Sequence, residues 1–385
     1  MVSRPLYIEA GNVTDRIIIS DESLTTRNNN DMSAAKKNYT ASAENVKYIG
    51  RYLFENDTAW LVQSGSAVEF SINARSAEVI LFGDERCERV RSQRARFALI
   101  VDGNIVCDDV VGSRPSAVQL FKGDCMRDAK IKIIHLSEAA NGAVGISGIR
   151  AESDVDDPIR PLQRKPLSIE FIGDSITCGY GVEGASEREK FRTTTENFMR
   201  SYAYLVAEKL GADYSAVCYS GHGLISGYTS NGKKAGESLI SPYYENIGSY
   251  GEYAIPWNFN AYPNDVIVLN LGTNDASYID RDFAVRSREF VPVYTQFLYT
   301  VRSHNPSSYI ICTLGIMGCA KEYLLIKEAI SDYKSSTGDN KIFSFLCPSQ
   351  KESDGYGCDW HPSEATQIKS AEFISGKLSA ILGIS

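Results

Sequence analysis

Apolar and polar positions along this chain follow two different rhythms. Up to about residue 155 they form short apolar runs, at 67–72, 77–82, 96–101, 117–121 and 130–136. These are parted by the turn-forming clusters Asp102-Gly103-Asn104, Lys122-Gly123-Asp124 and Asn141-Gly142. Many short strands separated by Gly, Asp and Asn predict an all-β sandwich or jelly roll over residues 1–155. Before about Lys37, an apolar run at 17–19 followed by a polar tract at 25–31 reads as a strand and a flexible excursion. From Ala151 to Pro166 the chain is charged and punctuated by Pro158, Pro161 and Pro166. Such a stretch suits neither a helix nor a central strand, so 156–166 reads as a linker.

The second rhythm fills residues 167–385. Near-continuous apolar runs at 168–172, 214–219, 266–271, 309–314 and 342–346 alternate with helical patterns at 198–210, 284–303, 320–335 and 362–382. Alternating strands and helices predict a parallel sheet covered on both faces, an α/β/α domain. The expected fold is therefore two-domain, a β-sandwich followed by an open α/β half. In such sheets chemistry collects at the carboxyl ends of the strands.

Four strand ends carry residues suited to acyl transfer. The first run leads into Gly173-Asp174-Ser175, where Ser175 is placed as a nucleophile or, equally, as part of a helix cap. The second leads into Ser220-Gly221-His222-Gly223, whose small residues let a backbone N–H approach an anion, or simply make a turn. The third leads into Gly272-Thr273-Asn274-Asp275, and the Asn274 amide is either an oxyanion donor or an Asx-turn. Of the four histidines, His135 sits in a predicted strand and His304 at a helix end; His361 stands just before Pro362 and the last helix. His222 is its rival for the base, or a lining residue of the cleft.

Composition narrows the classes. The chain has 385 residues and a net charge of −8 with no basic cluster, which argues against nucleic-acid binding. No run approaches the ~18 apolar residues of a membrane span, and the first residues do not read as a secretory signal. Nine scattered cysteines without a C-x-x-C pair suggest reduced, mostly buried thiols, and a cytoplasmic protein is expected. On that view the sequons at Asn12, Asn38 and Asn56 are chance matches. The histidine and cysteine spacings fit no metal site. Gly179-Tyr180-Gly181-Val182-Glu183-Gly184 matches G-x-G-x-x-G, but the polar run after it is no dinucleotide-binding helix.

The ordered blocks GDSIT (Ser175), SGHG (Gly221), GTND (Asn274) and DWHP (His361) resemble the SGNH, or GDSL-type, hydrolase superfamily. The preceding β half, the longer block GDSITCGYG, and the phrases Ile49-Gly50-Arg51 and Ser64-Gly65-Ser66 narrow the resemblance to carbohydrate esterase family 2. That resemblance implies a jelly-roll domain joined to an SGNH domain. It further implies a serine esterase that deacetylates xylan-type sugars and needs no cofactor. It assigns Ser175 and His361 to catalysis, with Ser175, Gly221 and Asn274 forming the oxyanion hole. The triad acid common in SGNH enzymes would stand at position 358, which is a cysteine. Asp359 is one residue too close, so the resemblance implies a Ser-His dyad oriented by a backbone carbonyl, with the Asp359 carboxylate as the alternative.

Trp257, Trp360 and His222 are candidate sugar contacts, since indole faces stack on sugar rings; packing in the interior is the alternative for Trp257. The partner is expected to be an acetylated carbohydrate, without nucleic acid or membrane, and a homo-oligomer is compatible with the composition. Two other readings stay open: a broad short-chain esterase, lipase or thioesterase, and a carbohydrate-binding protein whose hydrolase half is inactive.

Overall fold

The protein is described by a computed structural model over residues 36–384; the runs expected at 17–19 and 25–31 lie outside the described residues. Ten strands form one hydrogen-bonded sheet. They are β1 (Lys37–Tyr39), β2 (Lys47–Ile49), β3 (Tyr52–Glu55), β4 (Thr58–Leu61), β5 (Ala67–Gly83), β6 (Arg96–Val101), β7 (Asn104–Val110), β8 (Ser116–His135), β9 (Val144–Glu152) and β10 (Ile159–Pro161).

Two of these are longer than the sequence pattern suggests. The runs at 67–72 and 77–82 both belong to β5, and those at 117–121 and 130–136 both belong to β8. The polar breaks between them are irregularities in pairing. Register shifts fall between Ala74 and Ser76 and between Ala77 and Glu78. Before the shifts β5 buries Val68, Phe70, Ile72 and Ala74; past the first of them it buries Ala77, Val79 and Leu81, one residue out of phase. A bulge moves the inward face by one residue, so the core stays covered while the strand bends. The Gly123 cluster is the matching break in β8, where pairing passes from Lys122 opposite Ser76 to Arg127 opposite Ala74. The Asp102-Gly103 turn does form, with φ of 51° and 82°, the conformation a two-residue hairpin requires. Residues 159–161, expected within the linker, pair with β5 as a short edge strand.

The second half runs β11 (Ser168–Gly173), α1 (Ser175–Cys178), α2 (Tyr202–Lys209), β12 (Asp213–Cys218), α3 (Ser241–Tyr244), β13 (Val266–Asn270), α4 (Thr273–Ile279), α5 (Phe283–His304), β14 (Tyr309–Leu314), α6 (Ala320–Thr337), β15 (Ile342–Leu346) and α7 (Glu364–Leu382). The five strands are parallel, in the order β12-β11-β13-β14-β15. The chain leaves β11 first to one side and then to the other, which opens a crevice at its carboxyl end. Pro362 lies outside the helix it was expected to begin; Ser363 caps α7 through the Thr366 N–H. No helix among the described residues is long and apolar enough to cross a membrane. The nine cysteines are unpaired, and Cys87, Cys178, Cys218, Cys312, Cys347 and Cys358 are buried.

The described residues make one compact unit. On one face of the parallel sheet, Phe171, Val268 and Ile311 pack with Tyr202 and Val206 of α2 and Ile374 and Leu378 of α7. That same cluster takes in Ile49, Ala67, Ala98 and Ile134 from the β-rich half. Polar pins cross the same boundary. Lys47 Nζ lies 2.7 Å from Asp213, and Gln63 Nε2 donates to Tyr219 Oη at 2.7 Å and to the Ile247 carbonyl at 2.9 Å.

The deepest pin is Arg51, whose side chain is fully buried. Its guanidinium pairs with Glu170 of β11 at 3.1 Å and donates to the carbonyls of Tyr244 and, at 2.6 Å, of Asn246. The rings of Tyr244, Trp257 and Phe259 surround it, with centroids at 5.3, 5.7 and 5.1 Å. Substituting Arg51→Met would keep the length and strand the Glu170 charge. Removing one member of a buried ion pair costs about 3–5 kcal/mol. Equilibrium denaturation in urea should show a loss of that size; one below about 1 kcal/mol, the range of surface pairs, would remove Arg51 from this role.

Candidate active site

The carboxyl ends of β11, β12 and β13 and the loop before α7 meet around a cavity of about 670 Å³. Its lining includes Ser175, Gly221, Asn274 and His361, together with Tyr180 and Trp360. Ser175 opens α1, and Asp174 caps that short helix by accepting the Ile176 N–H at 3.0 Å. The tight turn leaves Ser175 Oγ 2.8 Å from His361 Nε2.

The other ring nitrogen faces only main chain. His361 Nδ1 lies 3.1 Å from the Cys358 carbonyl and 3.2 Å from the Asp359 carbonyl. Two acceptors there fix the proton on Nδ1, which leaves Nε2 free to accept from the serine. Burial holds the His361 pKa below the ordinary histidine value, and the two carbonyls pull the other way. The Asp359 carboxylate points elsewhere, accepting from Tyr180 Oη at 3.1 Å and lying 3.7 Å from Lys190. The turn that aims these carbonyls is unusual: Asp359 and Trp360 are both left-handed, with φ of 50° and 65°. Side chains other than glycine adopt that conformation at a cost, and it gathers at functional sites. Tyr180 packs on the imidazole with centroids 4.2 Å apart and is backed by Phe191 at 4.1 Å. Gly181 and Gly184 let the serine block close on the histidine loop: a Cβ on either would lie 2.5 Å from the Cys358 side chain. Close packing thus accounts for the glycine spacing that resembles a dinucleotide motif.

On the far side of Ser175, the main-chain N–H groups of Ser175 and Gly221 have no hydrogen-bond partner among the described residues. Gly221 has φ of 77°, which glycine adopts without strain. Its loop is held by Asp275, fully buried, whose carboxylate accepts the N–H groups of Leu224, Ile225 and Ser226 at 2.7–3.1 Å. Asn274 Nδ2 donates to the His222 carbonyl at 2.8 Å and, more weakly, to Asp174 at 3.3 Å. Burial raises the Asp174 pKa to about 7.

Two expected sugar contacts lie outside the cavity. Trp257 packs against Tyr52 and forms one wall of the Arg51 cage, because the segment before β13 folds back on the β-rich half. His222 turns its ring onto Tyr219 and Tyr243, with Nδ1 3.0 Å from the Ser220 carbonyl, and its own carbonyl accepts from Asn274. Trp360 does stand at the rim, 57% exposed, and Tyr228, 64% exposed, shares the lining. Tyr228 carried no signal beyond being an aromatic residue close after the SGHG block. Asp174 and Asp275 lay in plain view inside the blocks, but their roles depend on which amides the fold brings to them. Among the described residues, one group of potential metal ligands lies together, Glu138, Cys178 and Glu196, buried and not part of the cavity lining.

Residues 171–367 match the GDSL-like lipase/acylhydrolase family, and residues 48–156 match the carbohydrate esterase 2 N-terminal domain. The chain is 34% identical over 351 residues to the cellulase/esterase CelE of Acetivibrio thermocellus, covering 88% of this chain and 40% of that protein. It is 25% identical over 360 residues to an acetylxylan esterase/glucomannan deacetylase of Cellvibrio japonicus, covering 92% and 94%. A family two carbohydrate esterase from Clostridium thermocellum, solved with cellohexaose, superposes with a TM-score of 0.77 at 31% identity, covering 88% of this chain and 99% of that one. Fold, ordered blocks and these matches agree: the chain belongs to the family 2 carbohydrate esterases, with a GDSL-type hydrolase domain, and is a carboxylic ester hydrolase.

Proposed function

We propose that this protein removes O-acetyl groups from acetylated xylo- or related oligosaccharides through a Ser175–His361 acyl-enzyme. The observation that carries this reading is the 2.8 Å contact between Ser175 Oγ and His361 Nε2, with Nδ1 facing two carbonyls. Ser175 Oγ attacks the acetyl carbon while its proton passes to His361 Nε2. The tetrahedral oxyanion takes the N–H groups of Ser175 and Gly221, and Asn274 exchanges its long bond to Asp174 for the same oxygen. His361 then protonates the departing sugar oxygen, leaving acetyl-Ser175. Water, deprotonated by the same imidazole, releases acetate and restores the serine. No cofactor enters these steps.

The substrate class rests on the relatives' named activities and on the exposed faces of Trp360 and Tyr228, which offer flat apolar surfaces suited to sugar rings. Mass spectrometry of acetylated xylo-, manno- and gluco-oligosaccharides after incubation tests it: loss of 42-Da increments from a subset identifies the sugar, and no loss from any rules out the deacetylase reading.

Three outcomes follow from the proposed chemistry. Ser175→Ala should reduce kcat on p-nitrophenyl acetate to the residual level left by binding and the oxyanion hole alone, ~10³–10⁴-fold over water; retention of a tenth of the wild-type rate would end the assignment. Asp359→Asn preserves the main-chain acceptor, so kcat should fall less than ~30-fold, against the ~10⁴-fold that neutralising a triad carboxylate costs. The third is a pH profile. The base must be neutral to act, and burial depresses its pKa, so kcat/KM should rise with pH through an apparent pKa below the ordinary 6.5 and stay high in mild acid. An acid limb centred above 6.5 would contradict this environment.

A further inference from the structure

Two carboxyl groups are buried behind the site, one from each half of the chain. Glu138 lies between β8 and β9 and is 5% exposed; Glu196 lies between α1 and α2 and is 0% exposed. One oxygen of each and Cys178 Sγ fall within 4.8 Å of one another. The Glu138 main-chain N–H donates to Glu196 at 3.0 Å, and Asn141 Nδ2 donates to the same oxygen at 3.4 Å. The second Glu196 oxygen has no partner among the described residues. Two such groups in an apolar interior do not both ionise, and burial raises the pKa of each. An arrangement this costly needs a reason in what it holds.

It holds the loop that follows β12. Glu138 Oε2 accepts the main-chain N–H of Ser220 at 2.8 Å. Three residues beyond Gly221, Asp275 takes the next set of amides, from Leu224 to Ser226. The Gly221 N–H lies between these two fixed points, unpaired and in a peptide that lines the cavity. We infer that Glu138, a residue of the β-rich half, is a positioning residue for the oxyanion-binding loop: by holding the Ser220 amide it sets the direction of the Gly221 N–H. The inference rests on the esterase reading above and extends it, since it makes part of the active-site geometry the work of the N-terminal half.

Two near-isosteric variants separate positioning from packing. Glu138→Gln keeps a carbonyl acceptor in the same volume, and Glu138→Met keeps the length without one. With p-nitrophenyl acetate, Gln should stay within about threefold of the wild-type kcat. Met should lose at least ~10-fold, towards the ~10²-fold cost of deleting an oxyanion donor, with KM nearly unchanged. Equal kcat in the two variants, or a loss confined to KM, would overturn the inference. Hydrogen exchange in the wild-type protein needs no variant to fold: the Ser220 amide should be protected like those of β12, and the Gly221 amide should exchange fast. A Ser220 amide as fast as Gly221 would overturn it as well. Ser175→Ala, run alongside, keeps the two readings apart. If it retains activity the esterase assignment fails; if it is inactive while Glu138→Met matches Glu138→Gln, only the role of Glu138 fails.

Discussion

A guanidinium shut away from water needs acceptors and a counter-charge wherever the chain closes around it. Arg51 finds them for both terminal nitrogens in the other half, in a carboxylate on β11 and the carbonyls of Tyr244 and Asn246, with three aromatic rings around them; its Nε, also buried, has no hydrogen-bond partner among the described residues. Glu170 and Ser175 belong to the same strand and the turn that leaves it. Fixing one therefore fixes the height of the other against the β-rich half. The same boundary carries Lys47–Asp213, Gln63–Tyr219 and the apolar cluster shared across it. Interfaces between loosely joined domains are more polar and permit motion. This one is continuous with the hydrophobic core, so the β-rich half packs as part of the same body as the site.

That arrangement explains the pattern of what the sequence discloses. The inner strands of the parallel sheet are buried on both faces, so they appear as near-continuous apolar runs, and the five runs are legible with errors of a residue or so. The β-rich half is harder because bulges break its alternation: a slip of phase at Ser76 looks like the end of one strand and the start of another. At the site, the four blocks are legible because chemistry constrains their residue types. Trp257 and His222 are not, since a side chain's direction depends on what packs behind it. Trp257, a candidate sugar contact by sequence, faces an arginine from the other half. Glu138 belongs to no block at all; only the folded chain brings it to Ser220.

Electrostatically the site is spare. His361 has no carboxylate behind it, and the acid beside it in sequence is engaged with Tyr180 and Lys190. A neutral acceptor stabilises an imidazolium less than a negative charge does, so the proposed transition state relies more on the oxyanion side. That side is where the buried carboxyls gather. Asp275 and Glu138 grip the loop at two points, and Asp174 caps the helix that carries the nucleophile while accepting from Asn274. None of the three is proposed to touch the substrate. Their oxygens are taken up mainly by backbone amides, which leaves the amides of Ser175 and Gly221 unpaired among the described residues.

The left-handed pair at Asp359 and Trp360 has a consequence for how this chain can vary. Orientation of the imidazole comes from two carbonyls, and a carbonyl is present whatever side chain is attached. In the proposed dyad position 358 has no acid to supply, and its thiol fills the space left by Gly181 and Gly184. The selective burden moves from charge to backbone shape. Asparagine or glycine, which enter the left-handed region readily, are compatible with position 359, whereas a β-branched residue would have to force the turn open. In a triad enzyme a single change of carboxylate to amide is the damaging lesion; for the proposed dyad the corresponding lesion is one of conformation, and it would leave no trace in a comparison of charges.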